Sequence, residues 1–196
     1  MKIAIYGLPC AGKSTLMSKI KNAKVINGSH ELKRISEGNF HQLPESEKQT
    51  VRKKYTEYIN NLNDEVIISD GHYSFLENVV FTEEDGDLYD VFIYLYCSPK
   101  TIKERYTLSE KNLRFVNESI EIIKEWPAFE IRSLREECHK RNKDSYVVSD
   151  NEEEYCLFYD FLETVRNGFS SYKLACDISD EIMKLNSSNE DLYIVD

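Results

Sequence analysis

Gly7-Leu8-Pro9-Cys10-Ala11-Gly12-Lys13-Ser14-Thr15 is the stretch on which the reading of this chain turns. Two glycines five residues apart, followed at once by lysine and a hydroxyl residue, match the pattern of a loop that cradles phosphate. Glycines let the backbone curl so that successive N–H groups converge on oxygens. The lysine reaches the outer phosphates, and a serine hydroxyl at the next position suits Mg2+. The pattern requires a strand before it and a helix after it. Lys2–Tyr6 reads as a short buried strand and Gly12–Ile20 as a helix. Gly7, Pro9, Cys10, Ala11, Gly12, Lys13, Ser14 and Thr15 are therefore candidate cofactor-binding residues, with ATP and Mg2+ as the expected cofactors.

Outward from the loop, short apolar runs alternate with helical patterns. Lys24–Ile26, Val66–Ser69, Val91–Tyr96 and Ser145–Val148 read as further strands. Ser29–Glu37 reads as a helix capped by Ser29 and stopped by Gly38. A longer helix follows Pro44, with Val51, Tyr55, Tyr58, Ile59 and Leu62 on one face. Ser98-Pro99 opens another, because proline fits the first helical position. Ser119–Lys140 is helical with a bend expected at Trp126-Pro127, and Glu152–Val165 and Tyr172–Leu185 are helical too. Thr82–Asp90 reads as an acidic, solvated loop without the spacing of a calcium site. The expected fold is α/β, three layers, with a five-stranded parallel sheet and helices on both faces.

Composition limits the functions that fit. At 196 residues the chain is one domain, expected over residues 1–186, with a tail at 187–196. No apolar run approaches the ~18 residues of a membrane span, and no secretion signal precedes the loop, so a cytoplasmic protein is expected. The five cysteines form no C-x-x-C pair and are read as free thiols. A net charge of −10 argues against a nucleic-acid surface. Ser98–Lys143 nevertheless holds 11 basic against 8 acidic residues, which suggests a focused anion site.

With the loop at residue 7, the chain resembles a small P-loop kinase of the adenylate-kinase-like, nucleoside and nucleotide kinase group. Three further segments carry the likeness. Val66-Ile67-Ile68-Ser69-Asp70-Gly71-His72 is similar to that group's strand ending in Asp-Gly. Phe92-Ile93-Tyr94-Leu95 with Ser98–Arg105 resembles its strand, turn and helix leading to a lid-hinge arginine. Val25-Ile26-Asn27-Gly28-Ser29 through Leu32-Lys33-Arg34 resembles its acceptor-side segment. The chain departs from the group's pattern at Ser29-His30-Glu31 and at His72-Tyr73, which leaves the acceptor open.

The resemblance implies an ATP-dependent phosphotransferase acting on a small molecule, a nucleoside or nucleotide before others. Arg105 would contact nucleotide or transferred phosphate, Arg132 and Arg135 would fold over the phosphates, and Arg34 would bind an acceptor phosphate. Asp70, at the end of a central strand, is a candidate to orient Mg2+ or take a proton. Lys13, Asp70, Arg105, Arg132 and Arg135 form the catalytic set, Ser14 and Asp70 the metal set, and His30, Glu31, Arg34 and His72 the acceptor set. Tyr106–Asn117 is a candidate lid, since such an enzyme must exclude water from bound ATP. Two alternatives stand beside this reading: a polynucleotide 5′-hydroxyl kinase, and a P-loop nucleotide hydrolase or sensor. Leu192-Tyr193-Ile194-Val195-Asp196 resembles the opening strand of haloacid-dehalogenase-like phosphatases and would fit the stub of a second domain.

Overall fold

The computed structural model describes residues 1–21, 23–76, 78–108 and 119–166. The helix expected at 172–185, most of the candidate lid, the tail and Cys176 lie outside them. Five strands form one parallel sheet: β1 (Lys2–Tyr6), β2 (Lys24–Ile26), β3 (Ile67–Asp70), β6 (Val91–Tyr96) and β7 (Asp144–Ser149), in the order β2-β3-β1-β6-β7. Between them in sequence, β4 (Ser74–Phe75) and β5 (Asn78–Val79) form a small antiparallel pair.

A parallel sheet is covered on both faces, so its strands are apolar almost throughout. Alternation decides which face each residue serves. Ala4, Tyr6, Ile67, Phe92 and Tyr94 pack on one side against Tyr55 and Ile59 of α3 (Glu45–Asn60) and Ile131, Leu134 and Cys138 of α6 (Ile120–Lys140). Ile3, Ile5, Ile68, Ile93, Leu95 and Val148 pack on the other. Their partners are Leu16 and Met17 of α1 (Lys13–Ser18) and Tyr155, Phe158 and Leu162 of α7 (Glu152–Arg166). The expected three-layer architecture is present. β1 lies between β3 and β6, with Ile5 opposite both Asp70 and Ile93. The C-terminal ends of the strands thus meet along one edge, where α/β sheets bind ligands.

Three local expectations are corrected. The acidic run is not a solvated loop but α4 (Glu83–Leu88). Thr82 and Asp85 cap it reciprocally, and Glu83, Glu84 and Asp85 sit in its first turn, where negative charge is favoured. At its other end the Lys143 ammonium donates to the carbonyls of Gly86, Asp87 and Tyr89 at 2.7, 2.7 and 2.6 Å. The helix α2 (Gly28–Ile35) is capped by Asn27 rather than Ser29, its side chain accepting the His30 N–H at 2.8 Å. Tyr106 belongs to α5 (Pro99–Leu108) and is 1% exposed, so it is core and not lid. Ser98 caps α5 as expected, accepting the Thr101 N–H at 3.1 Å.

Burial pushes the Asp85 carboxyl up to about 6, against the pull of the Thr82 N–H, the Thr82 hydroxyl and the Arg52 charge. An acid whose folded pKa exceeds its unfolded value of ~3.9 adds stability at low pH. That contribution is lost as pH rises through the folded value. Asp85→Asn cannot ionise, so its stability relative to wild type should improve as pH rises from about 4 to about 7. Urea melts of both proteins across that range measure the gap, and a constant gap contradicts this account.

Candidate active site

The loop between β1 and α1 is shaped by what its glycines lack. Gly7 has φ 150°, and a Cβ there would lie 2.5 Å from the Leu95 carbonyl oxygen of the neighbouring strand. Gly12 has φ 103° and caps α1, whose first turn carries no acidic residue to compete for an anion. Cys10 takes the left-handed conformation as well, at φ 62°. The Ala11 N–H donates to the Leu8 carbonyl at 3.2 Å and closes the turn. Leu8 and Ala11 are buried on Cys97, Ile102, Tyr106, Ile123 and Trp126, so the loop rests on α5 and α6.

Lys13 is 7% exposed, and its ammonium donates to the carbonyls of Gly7 at 2.6 Å and Leu8 at 3.0 Å. Its charge acts on Glu130, which is fully buried in α6. The Glu130 carboxylate accepts from the Ser74 N–H at 2.8 Å, the Ser74 hydroxyl at 2.7 Å, Trp126 Nε1 at 3.1 Å and the Tyr94 hydroxyl at 2.7 Å. Burial raises its pKa, while those donors and Lys13 oppose the rise. Glu130 escaped the sequence reading although a signal existed. It sits in the apolar stripe of Ile123, Trp126, Leu134 and Cys138, where a carboxylate needs partners.

Asp70 stands across from the loop at the end of β3, 8% exposed. Its Oδ1 accepts the Gly28 N–H at 2.7 Å, tying the start of α2 to the sheet edge. A Cβ on Gly28 would clash with the Asp70 carbonyl, so that approach requires glycine. His72 also reaches the loop, with Nδ1 3.1 Å from the Gly7 carbonyl oxygen and its ring against Phe75 at 4.7 Å. On α2, Arg34 Nε donates to Glu31 at 2.6 Å, and its guanidinium lies 5.3 Å from the Tyr58 ring centre. His30 is 77% exposed and stands 3.6 Å from Glu31.

Arg105 comes to the loop from α5. Its guanidinium donates to the Cys10 carbonyl at 3.2 Å and pairs with Asp150 at 2.5 Å. Asp150, missed in the sequence, directly follows β7 on the same sheet edge as Asp70. Arg132 is exposed and Arg135 half-buried on α6, and the residues of that helix packed with the loop are Ile123 and Trp126. Other basic groups of the 98–143 segment are held internally: Lys140 by Glu137, and Arg141 by Glu137 and Asp87.

The residues present suit a nucleoside triphosphate with Mg2+. The cradle at Gly7 has no room for a side chain, Lys13 supplies the charge, and Ser14 is exposed at the head of α1. Serine hydroxyl and aspartate carboxylate are the hard oxygen donors Mg2+ takes. Among the described residues no helix is long and apolar enough to cross a membrane. No group of three or more His, Cys, Asp or Glu residues there could hold a metal alone.

A family model described as an AAA domain matches residues 3–124, more than half of the chain. Comparison with curated proteins found no match. Among solved structures, shikimate kinase from Acinetobacter baumannii in complex with shikimate superposes with a TM-score of 0.61 at 14% identity. That match covers 87% of this chain and 94% of the other. Shikimate kinase from Bacteroides thetaiotaomicron gives 0.51 at 16% identity, over 84% of this chain and 97% of that one. Thymidylate kinase from Candida albicans gives 0.53 at 16%, over 85% and 92%. All three share the P-loop kinase fold with this chain.

Asp70→Asn keeps an oxygen for the Gly28 N–H, whereas Asp70→Ala leaves that buried donor unpaired at a cost of about 1–3 kcal/mol. Denaturation should therefore place the asparagine variant near wild type and the alanine variant clearly below it. Equal losses would show that the Gly28 contact does not hold α2.

Proposed function

The chain belongs to the AAA-domain family, and we propose that it is an ATP-dependent kinase that passes the γ-phosphoryl group to a small-molecule acceptor. The observation that carries this reading is Lys13, a buried ammonium on the carbonyls of Gly7 and Leu8 with Asp70 at the facing sheet edge. Phosphoryl transfer asks a protein chiefly for positioning and charge neutralisation. Lys13 meets the β- and γ-phosphates, with Arg105 beside the loop. Ser14 and Asp70 would hold Mg2+, which when bound would neutralise charge on the phosphates. Arg132 and Arg135 lie on the helix that supports the loop and are the remaining candidates to meet phosphate.

The acceptor lies over α2 and the segment after β3, among Arg34, His30, Glu31 and His72. A nucleoside or nucleotide is the first choice. Arg34, set beside Tyr58, presents a planar cation suited to phosphate or carboxylate. Glu31, paired to Arg34, aims it, and exposed His30 is placed to take a proton from an acceptor hydroxyl. One structural neighbour is in complex with shikimate, and the other kind is a thymidylate kinase, so a hydroxy acid and a nucleoside monophosphate are the two classes to compare. A polynucleotide acceptor is less well supported. Lys140 and Arg141, two of the basic residues of the 98–143 segment, are committed to carboxylates.

An ADP-release screen against nucleosides, nucleotides, hydroxy acids and simple alcohols tests the reading. One acceptor should stimulate ADP release in a Mg2+-dependent way. Lys13→Ala should cut that rate by about 100-fold or more, because this charge acts most strongly in the transition state. Acceptor-independent hydrolysis alone would favour the hydrolase reading, and near-normal activity in the variant would remove the loop from the chemistry.

A further inference from the structure

We infer that Asp150 is a positioning residue of the nucleotide site, holding the Arg105 guanidinium over Gly12 and so setting affinity for nucleotide. The inference rests on the kinase reading above. Asp150 is itself fixed: its backbone N–H donates to the Tyr96 carbonyl at 2.8 Å, one residue beyond the end of β7. One carboxylate oxygen accepts the Tyr155 hydroxyl from α7. The other lies 2.5 Å from Arg105 Nη2 and accepts the Cys97 thiol at 3.5 Å. The second terminal nitrogen of Arg105, Nη1, donates to the Cys10 carbonyl at 3.2 Å and lies 3.5 Å from Cys97 Sγ. The guanidinium is thus clamped between a carboxylate on one side and the loop backbone on the other.

Gly12 reports how close this assembly stands to the loop. A Cβ there would lie 3.2 Å from Asp150 Oδ1, 3.4 Å from Arg105 Nη1 and 3.4 Å from the Tyr155 hydroxyl. Side chains from α5, from α7 and from the residue after β7 converge on one glycine of the loop. An arginine already held in place loses little freedom when it meets an anion, which favours binding. A lone carboxylate at the same point would repel the phosphates. Arg105 cancels that charge, so the effects of the two residues on binding are coupled.

Losses of different size follow for the two halves of the pair. Asp150→Asn keeps the shape and an acceptor for Tyr155 but releases Arg105. Arg105→Met leaves the Asp150 charge unpaired beside the phosphate site. Titration of MgATP into each purified full-length variant by calorimetry reads these effects. Asp150→Asn should weaken binding about tenfold, and Arg105→Met should weaken it more. The double variant should bind more tightly than Arg105→Met alone, because the unpaired carboxylate is gone. Tyr155→Phe should shift affinity in the same direction as Asp150→Asn, by less. Wild-type affinity in Asp150→Asn, or losses that simply multiply in the double variant, would overturn the role of Asp150 while leaving the kinase reading intact. A wild-type chain that binds no MgATP overturns both.

Discussion

A cation buried among backbone carbonyls is the interaction on which this molecule depends. Removing an ammonium from water is costly unless polar partners replace its hydration. Lys13 finds them in the Gly7 and Leu8 carbonyls, and its charge opposes the rise that burial imposes on the Glu130 pKa. Glu130 in turn gathers Ser74, Trp126 and Tyr94. Glu130 thereby ties the long helix α6 to the central strand β6 and to the chain after β3. None of this survives a side chain at residue 7, where a Cβ would lie 2.5 Å from the Leu95 carbonyl oxygen.

The sheet order explains why the acid and base groups meet at all. Parallel strands carry their C-terminal ends to one edge, and β1 sits centrally between β3 and β6. His72, Arg105 and Asp150 reach the loop from successive crossings of that edge, and Asp70 stands on the same edge at the end of β3. The protein carries ten net negative charges, yet the site must hold a polyanion. It does so locally, by placing Lys13 at the loop and the Arg105–Asp150 pair beside it, while Lys140 and Arg141 are held in ion pairs elsewhere.

The loop and the five main strands were legible because their signals are local. Buried parallel strands read as apolar runs, and G-x-x-x-x-G-K-S is continuous in sequence. Helix α4 was misread because acidic residues with an internal glycine look like loop by composition. The decisive feature was the Thr82–Asp85 cap, with aspartate where glutamate or glutamine is usual. The two-residue strands β4 and β5 are too short to show a period. Partnerships proved hardest: Glu130 with Ser74 spans 56 residues, and Cys97 with Asp150 spans 53. Such pairs exist only once the sheet order has brought their elements together. Arg105 is legible in the sequence, but its partner Asp150, 45 residues on, comes beside it only because β7 pairs with β6.

Backbone amide NMR during titration with MgADP tests the central claim most directly, because the loop is held to bind phosphate through its own N–H groups. The account predicts that the largest shifts, saturating with one nucleotide per chain, fall on residues 7–15, led by Gly12, Lys13 and Ser14. Saturable shifts centred elsewhere, with the loop amides unmoved, would contradict it.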